Sequence, residues 1–266
     1  MSGRSCNASL AERRQAEREY FDPIFRAMRE KGSLRIAEGV LERFRRCGSA
    51  SSWARECQFG LARPLGGRDV LEMGCGSGLY TVLLAANGAN VWGYDVSEEA
   101  LRTTQRRAEV NGLSGRINLA LAARPEAAFP GRSFGVVFGS LILHHLDPSE
   151  LRSLGEQLRR LLKPGGWCVF REPVILAPIL SFLRRLIPYQ PFKPSLHEQP
   201  LSDADIATVA RPFRRCEVRY FDFLHRLHYF LPAHQARRLA EWDARIFRLW
   251  PSLRVLASQA VWRLDA

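Results

Sequence analysis

Lysine is nearly missing: of 39 basic residues only Lys31, Lys163 and Lys193 are lysines, and the rest are arginines. Cysteines number 6, and no two stand nearer in sequence than Cys47 and Cys57. Neither a C-x-x-C metal knuckle nor a dense disulfide framework can be built from that spacing, so Cys6, Cys47, Cys57, Cys75, Cys168 and Cys216 are read as reduced, mostly buried thiols and no metal is expected. With 20 glycines and 15 prolines in 266 residues, 46% hydrophobic and 25% charged, the chain is neither collagen-like nor disordered. Long apolar runs are absent too. The longest apolar-rich stretch, Val174 to Ile187, contains Arg184 and Arg185 and is shorter than the ~20 residues that span a bilayer. Near the N-terminus, Arg4 and the charged run Glu12 to Glu19 leave no unbroken apolar core for a secretory signal. No transmembrane segment and a cytoplasmic location are therefore expected.

What is present is an uneven charge. The formal net charge is +12; residues 1–68 carry +6, residues 69–170 are neutral, and residues 171–266 carry +6. No five consecutive residues are basic, and the pairs Arg45-Arg46, Arg184-Arg185, Arg214-Arg215 and Arg237-Arg238 are scattered, unlike the stripe of a dedicated nucleic-acid binder. Two readings stay open: a solvated arginine-rich surface, or recognition of an anionic substrate or headgroup, for which arginine is the better fork.

The apolar pattern divides the chain into three parts. Residues 1–68 read as a helical N-terminal cap, with Asp22-Pro23 opening a helix that ends at Gly32, then Ile36, Val40, Leu41 and Phe44 on one face, then a helix starting at Ser51 or Ser52. Residues 69–173 alternate short apolar runs with helical stretches: Val70 to Met73, Val91 to Tyr94, Ile117 to Leu121, Val136 to Phe138 and Trp167 to Phe170 are the candidate strands. That alternation means βαβ units and a mostly parallel sheet. Residues 174–266 read as a proline-rich lid insertion, a strand over Cys216 to Phe223, a helix over residues 233–249 and a last strand near Ala257 to Leu264. The expected fold is α/β, a doubly wound, Rossmann-like, seven-stranded and mostly parallel sheet with a helical cap and a lid insertion before the last two strands.

The strongest local signal is Val70-Leu71-Glu72-Met73-Gly74-Cys75-Gly76-Ser77-Gly78, a strand that runs through glycines into a helix. Glycines let the backbone turn tightly at a strand's carboxyl end and approach a ligand closely. The dinucleotide fingerprint G-x-G-x-x-G fails, because Leu79 stands where its third glycine belongs, and there is no Gly-Lys-Ser/Thr phosphate loop. What the spacing matches is acidic-x-G-x-G-x-G, with a second acid, Asp95, closing the next strand. A carboxylate there can accept both hydroxyls of a ribose.

With VLEMGCGSG at 70–78, VWGYDVSEEAL at 91–101, SFGVVFGSLILHHL at 133–146 and LLKPGG at 161–166, the chain resembles the class I S-adenosylmethionine-dependent methyltransferases, in particular their small-molecule branch (methyltransferase type 11-like), over residues 69 to about 173. The resemblance implies S-adenosyl-L-methionine as cofactor, with Glu72 near the methionine ammonium, Gly74, Cys75, Gly76 and Gly78 making room, Asp95 holding the ribose, and Val96, Ala123 and Gly139 bordering the nucleoside. Two departures stand out. Where the family often has an acid for the adenine amino group, this chain has Leu121-Ala122-Ala123-Arg124, so backbone or another side chain must serve; and Gly135 replaces the usual Asp before the fourth strand.

Ligands of open α/β sheets collect at the carboxyl ends of strands. His145 is the preferred general base, with His144 and Glu172 as further candidates, although one histidine of the pair can equally be packed beside Leu143 and Leu146. Tyr189, His197 and Glu198, in the insertion, are candidate acceptor contacts or a polar surface loop, and Trp242, Phe247 and Trp250 are core residues or part of a greasy acceptor pocket. The expected activity is methyl transfer to an O, N or C atom of a small, anionic or hydrophobic organic acceptor: a lipid, quinone, sugar or secondary metabolite. Two alternatives remain. A nucleic-acid methyltransferase is disfavoured because Gly139-Ser140-Leu141-Ile142 replaces the Asn/Asp-Pro-Pro-Tyr/Phe signature of exocyclic-amine enzymes. A non-catalytic cofactor-binding or membrane-surface protein would use the amphipathic stretch 179–187. The oligomeric state is not legible.

Overall fold

The computed structural model describes residues 10–176, 199–225 and 233–266. Seven strands, β1 (Asp69–Met73), β2 (Asn90–Asp95), β3 (Ile117–Leu121), β4 (Phe134–Ser140), β5 (Leu162–Pro173), β6 (Arg215–Phe221) and β7 (Gln259–Asp265), form one sheet in the order β3-β2-β1-β4-β5-β7-β6. β1 to β5 are parallel, and β7 runs antiparallel to both β5 and β6. The mostly parallel, doubly wound sheet expected from the sequence is present, and its strand order reverses between β1 and β4.

Alternation along the strands sends side chains to two cores. On β5, Trp167 and Val169 join the layer that contains Val70, Val136, Phe138 and Val261, while Cys168 and Phe170 join the layer with Leu71, Val137, Trp262 and Leu264. The first layer is covered by α2 (Glu38–Arg46), α3 (Ala54–Ala62), α4 (Leu79–Ala86) and α5 (Glu98–Val110); the second by α6 (Pro148–Leu161) and α7 (Asp203–Ala210). Each fully buried aliphatic or aromatic side chain contributes about 1.5–3 kcal/mol by leaving water. Caps set the helix starts as expected: Asp147 and Glu150 form a capping box on α6, with Pro148 in its first turn, and Ser202 and Asp205 form one on α7.

Three expectations are corrected. No helix begins at Asp22-Pro23; α1 is continuous from Leu10 to Lys31 with Pro23 inside it. The turns beside the proline are tied instead to α5, where Ser97 Oγ donates to Asp22 Oδ1 (2.5 Å) and Thr103 Oγ1 donates to Phe25 O (3.1 Å). Val40 is exposed rather than inward, because Ile36 precedes α2 and only Leu41 and Phe44 of the helix face the core. β6 stops at Phe221, two residues early, because Asp222 adopts a left-handed φ of 63° that no strand continues. α1 itself holds no buried residue. The last helix, α8 (Ala233–Leu249), packs beside β6 and leads through a short 3-10 turn into β7.

Candidate active site

A cavity of about 330 Å³ opens at the carboxyl ends of β1, β2 and β4, where the strand order reverses. Gly74 to Ser77, Asp95 to Ser97 and Ala123 to Pro125 line it from the sheet's loops, and Arg13, Arg14, Glu17, Arg18, Phe21 and Phe25 of α1 close it from above.

The glycine turn divides its work between cavity and packing. A Cβ on Gly74 (φ 65°) would meet Ile142 Cδ1 at 2.6 Å, and one on Gly78 (φ 75°) would meet Thr104 Cα at 2.7 Å. Gly78 therefore lets α5 close against the turn and does not border the cavity, whereas Gly74, Cys75 and Gly76 do. The room expected at Gly78 is taken by Thr104. Gly139 also stands away from the cavity: its carbonyl accepts from Gln58 Nε2 of α3 (2.8 Å), and a Cβ there would lie 2.7 Å from Phe170.

Asp95 ends β2 inside the cavity wall. Gly76 N donates to its Oδ2 (2.9 Å) and Ser97 N to its Oδ1 (3.0 Å), so each oxygen keeps a lone pair for a ligand hydroxyl. Burial pushes this carboxyl upward, and the backbone donors only partly oppose that. Val96 and Ala123 flank it. In place of the absent third acid, Arg14 reaches from α1 and donates to Ala123 O (3.1 Å). Glu72 lies out of the cavity lining, almost wholly buried, with Thr81 Oγ1 donating to its Oε2 (2.5 Å). Burial, against the pull of Thr81 and with the nearby Asp95 charge adding, pushes Glu72 up to about 8.

The two histidines separate. His144 is buried, its Nδ1 2.7 Å from Glu172 Oε2, while Ile142 N (2.8 Å) and Leu143 N (2.9 Å) donate to Glu172 Oε1. Burial alone would raise the Glu172 carboxyl, but His144 and the backbone donors outweigh it and hold it below the usual range. Glu172 and His144 do not line the cavity; they brace the 142–144 turn. His145 does line it, its ring tilted 38° against that of His144 with centroids 4.1 Å apart and its Nδ1 2.8 Å from Glu17 Oε1. A carboxylate on Nδ1 places the ring proton there and leaves Nε2 basic.

Sequence reasoning missed two groups. The α1 arginines and Glu17 carried no motif, because their role depends on a helix 100 or more residues away folding over the sheet. The second is Arg171 on β5, 2% exposed, which donates to Ser140 Oγ (3.0 Å), Gln259 Oε1 (2.6 Å) and Tyr80 Oη (3.2 Å). All three partners are neutral, and among the described residues it has no carboxylate. Tyr80 and Ser140 border the cavity. Burial alone would raise the Tyr80 phenol, but Arg171 and Arg55 outweigh it and hold it below its usual range. Tyr189, His197 and Glu198 lie outside the described residues; next to them Gln199 N donates to His144 O (3.0 Å). Among the described residues, α8 contributes nothing to the cavity wall, and no cluster of side chains could hold a metal ion.

Residues 70–166 match a family model described as a methyltransferase domain. The chain is 40% identical over 108 residues to ubiquinone biosynthesis O-methyltransferase of Thiobacillus denitrificans, covering 40% of this chain and 45% of that one. It is 29% identical over 111 residues to phosphoethanolamine N-methyltransferase 3 of Arabidopsis thaliana, covering 41% and 22%. It thus spans about half the length, or less, of the curated relatives it matches. Among solved structures, a SAM-dependent methyltransferase from Archaeoglobus fulgidus superposes with a TM-score of 0.56 at 18% identity, covering 92% of this chain and 99% of that one. A Haemonchus contortus phosphoethanolamine N-methyltransferase gives 0.57 at 18%, covering 97% and 59%. Residues 70–166, from β1 to the start of β5, thus match a methyltransferase domain in sequence, and the chain shares the fold of these solved methyltransferases.

Proposed function

We propose that this chain binds S-adenosylmethionine in the α1-covered cavity and methylates an O, N or C atom of a small organic acceptor. The observation that carries the reading is Asp95: a carboxylate on the cavity wall whose two oxygens are each oriented by one backbone N–H and each keep a lone pair. A ribose diol is the ligand group that takes two acceptors on one side chain.

The other residues suit the remaining parts of that nucleoside. Val96 and Ala123 border the base, and the hydroxyls of Tyr80 and Ser140, polarised by the buried Arg171, offer donors to the amino-acid carboxylate. Glu72, pushed up by burial behind the cavity lining, would ionise more readily with an ammonium bound near the glycine turn. When bound, the cofactor supplies an already activated methyl group on a sulfonium that leaves as a neutral thioether. The protein's share is mainly alignment, which is worth about 7–11 kcal/mol when geometry is tight. α1 excludes water, and His145 Nε2, with Glu17 on the other ring nitrogen, receives the proton of a hydroxyl or amine acceptor, a contribution of roughly 10²–10⁴ in rate. The relatives named for a quinone-pathway O-methylation and for phosphoethanolamine N-methylation support a small acceptor.

Calorimetric titration with S-adenosylhomocysteine tests the reading. Wild type binds, and Asp95→Ala, melting within a few degrees of wild type, loses about 100-fold in affinity, the worth of two hydrogen bonds to a charged group. Failure of the wild type to bind would overturn it.

A further inference from the structure

α8 presents its two long faces very differently. The inner face is anchored: Ala236, Ala240 and Asp243 are buried, and Asp243 accepts from the backbone N–H groups of Phe223 (3.0 Å), Leu224 (2.8 Å) and His225 (3.0 Å). The outer face places Arg238, Trp242, Arg245 and Leu249 in one row, at the spacing of successive helical turns. Trp242 is 57% exposed, Leu249 66% and the adjoining Trp250 56%, and Val255 of the following turn is exposed as well. Arg237 pairs with Glu241 (3.4 Å), but Arg238, Arg245 and Arg248 have no carboxylate partner among the described residues.

Exposed tryptophans, a leucine and a valine beside unneutralised arginines have one matching environment: the boundary of an anionic bilayer, where apolar side chains enter the acyl edge and guanidinium groups meet phosphates. A second copy of the chain is disfavoured, since a two-fold contact would set the same unpaired arginines against each other. An RNA partner would leave Leu249 and Val255 without a role, because they neither stack nor carry charge. We propose that the outer face of α8 from Arg238 to Leu249, together with Trp250 and Val255 just beyond its end, docks this chain on anionic phospholipid membranes, where a hydrophobic acceptor would be met. The surface lies apart from the cavity-lining residues, and the docking does not depend on the cofactor reading.

The test is co-sedimentation of the full chain with vesicles of phosphatidylcholine alone or with one-third phosphatidylglycerol. Binding to the anionic vesicles only, weakened by salt, is expected. It should fall about tenfold in Trp242→Ser/Trp250→Ser and in Arg245→Glu/Arg248→Glu, with an unchanged melting temperature as the control of folding. No binding to anionic vesicles, or equal binding by the variants, overturns the proposal. So does a dimer in sedimentation equilibrium, or a tRNA gel shift, that the tryptophan pair abolishes while vesicle binding stays absent.

Discussion

His145 Nδ1 stands 2.8 Å from Glu17 Oε1, a contact between the turn after β4 and the helix that roofs the cavity, 128 residues apart. The carboxylate selects the tautomer in which Nε2 is basic, and it joins the roof to the candidate base. His145→Ala should lower turnover roughly 10²–10⁴-fold with little change in S-adenosylhomocysteine affinity. Glu17→Gln should give a smaller loss and shift the acid limb of the pH–rate profile. Equal turnover in His145→Ala, with any acceptor that wild type methylates, removes the histidine from the mechanism.

Glu72 predicts a proton released on ligand binding. Its folded value of about 8 lies above the ordinary 4.5, so between those limits the folded chain holds a proton that the unfolded chain has lost. Stability contributed by the neutral carboxyl is complete below pH 4.5 and falls as pH rises through this window, by at most about 1.4 kcal/mol per pH unit. An ammonium bound nearby reverses the preference. At pH 7 the heat of S-adenosylhomocysteine binding should vary with the ionisation enthalpy of the buffer, and Glu72→Gln should erase that dependence.

Arg171 predicts a discrimination between ligands with and without a carboxylate. Arg171→Gln should weaken S-adenosylhomocysteine at least tenfold, about 1.4 kcal/mol, and leave 5′-methylthioadenosine, which lacks the amino-acid end, unchanged. Tyr80→Phe should show the same pattern at smaller size. Equal losses for both ligands would assign the cluster to folding alone.

Gly78 and Gly112 separate strain from collision. Both have a left-handed backbone, φ 75° and 70°, but a Cβ at Gly112 meets open space, whereas one at Gly78 strikes Thr104. Gly112→Ala should cost about 1–2 kcal/mol from conformation alone, and Gly78→Ala roughly 2–5 kcal/mol once overpacking is added. Denaturant melts of the two variants decide it.

The parallel strands were legible because their apolar runs are short, regularly spaced and separated by helical stretches; β1 to β4 lie within two residues of the expected limits, whereas β5 starts five residues before its expected limit, at Leu162. Gly74, Gly76 and Asp95 were legible because a tight turn at a strand's end demands glycines and an acid closing the next strand stands at a recognisable spacing from them. The extension of α1 through Pro23 was not, since the contacts that hold it, Ser97 with Asp22 and Thr103 with Phe25, join segments about 75 residues apart. Arg171 was missed for a related reason. In the sequence it is one arginine among many, and only the sheet register opposite Ser140 makes it a buried cation with neutral partners.

By itself the sequence determined the βαβ order, the glycine turn and the acid after β2, because these follow from local periodicity and from backbone geometry that few residues permit. Tertiary structure decided which of two adjacent histidines faces the cavity, that Glu172 braces the 142–144 turn, and that α1 supplies the roof. Those assignments depend on which way neighbouring side chains point once distant segments pack, a property that adjacency in the chain does not carry.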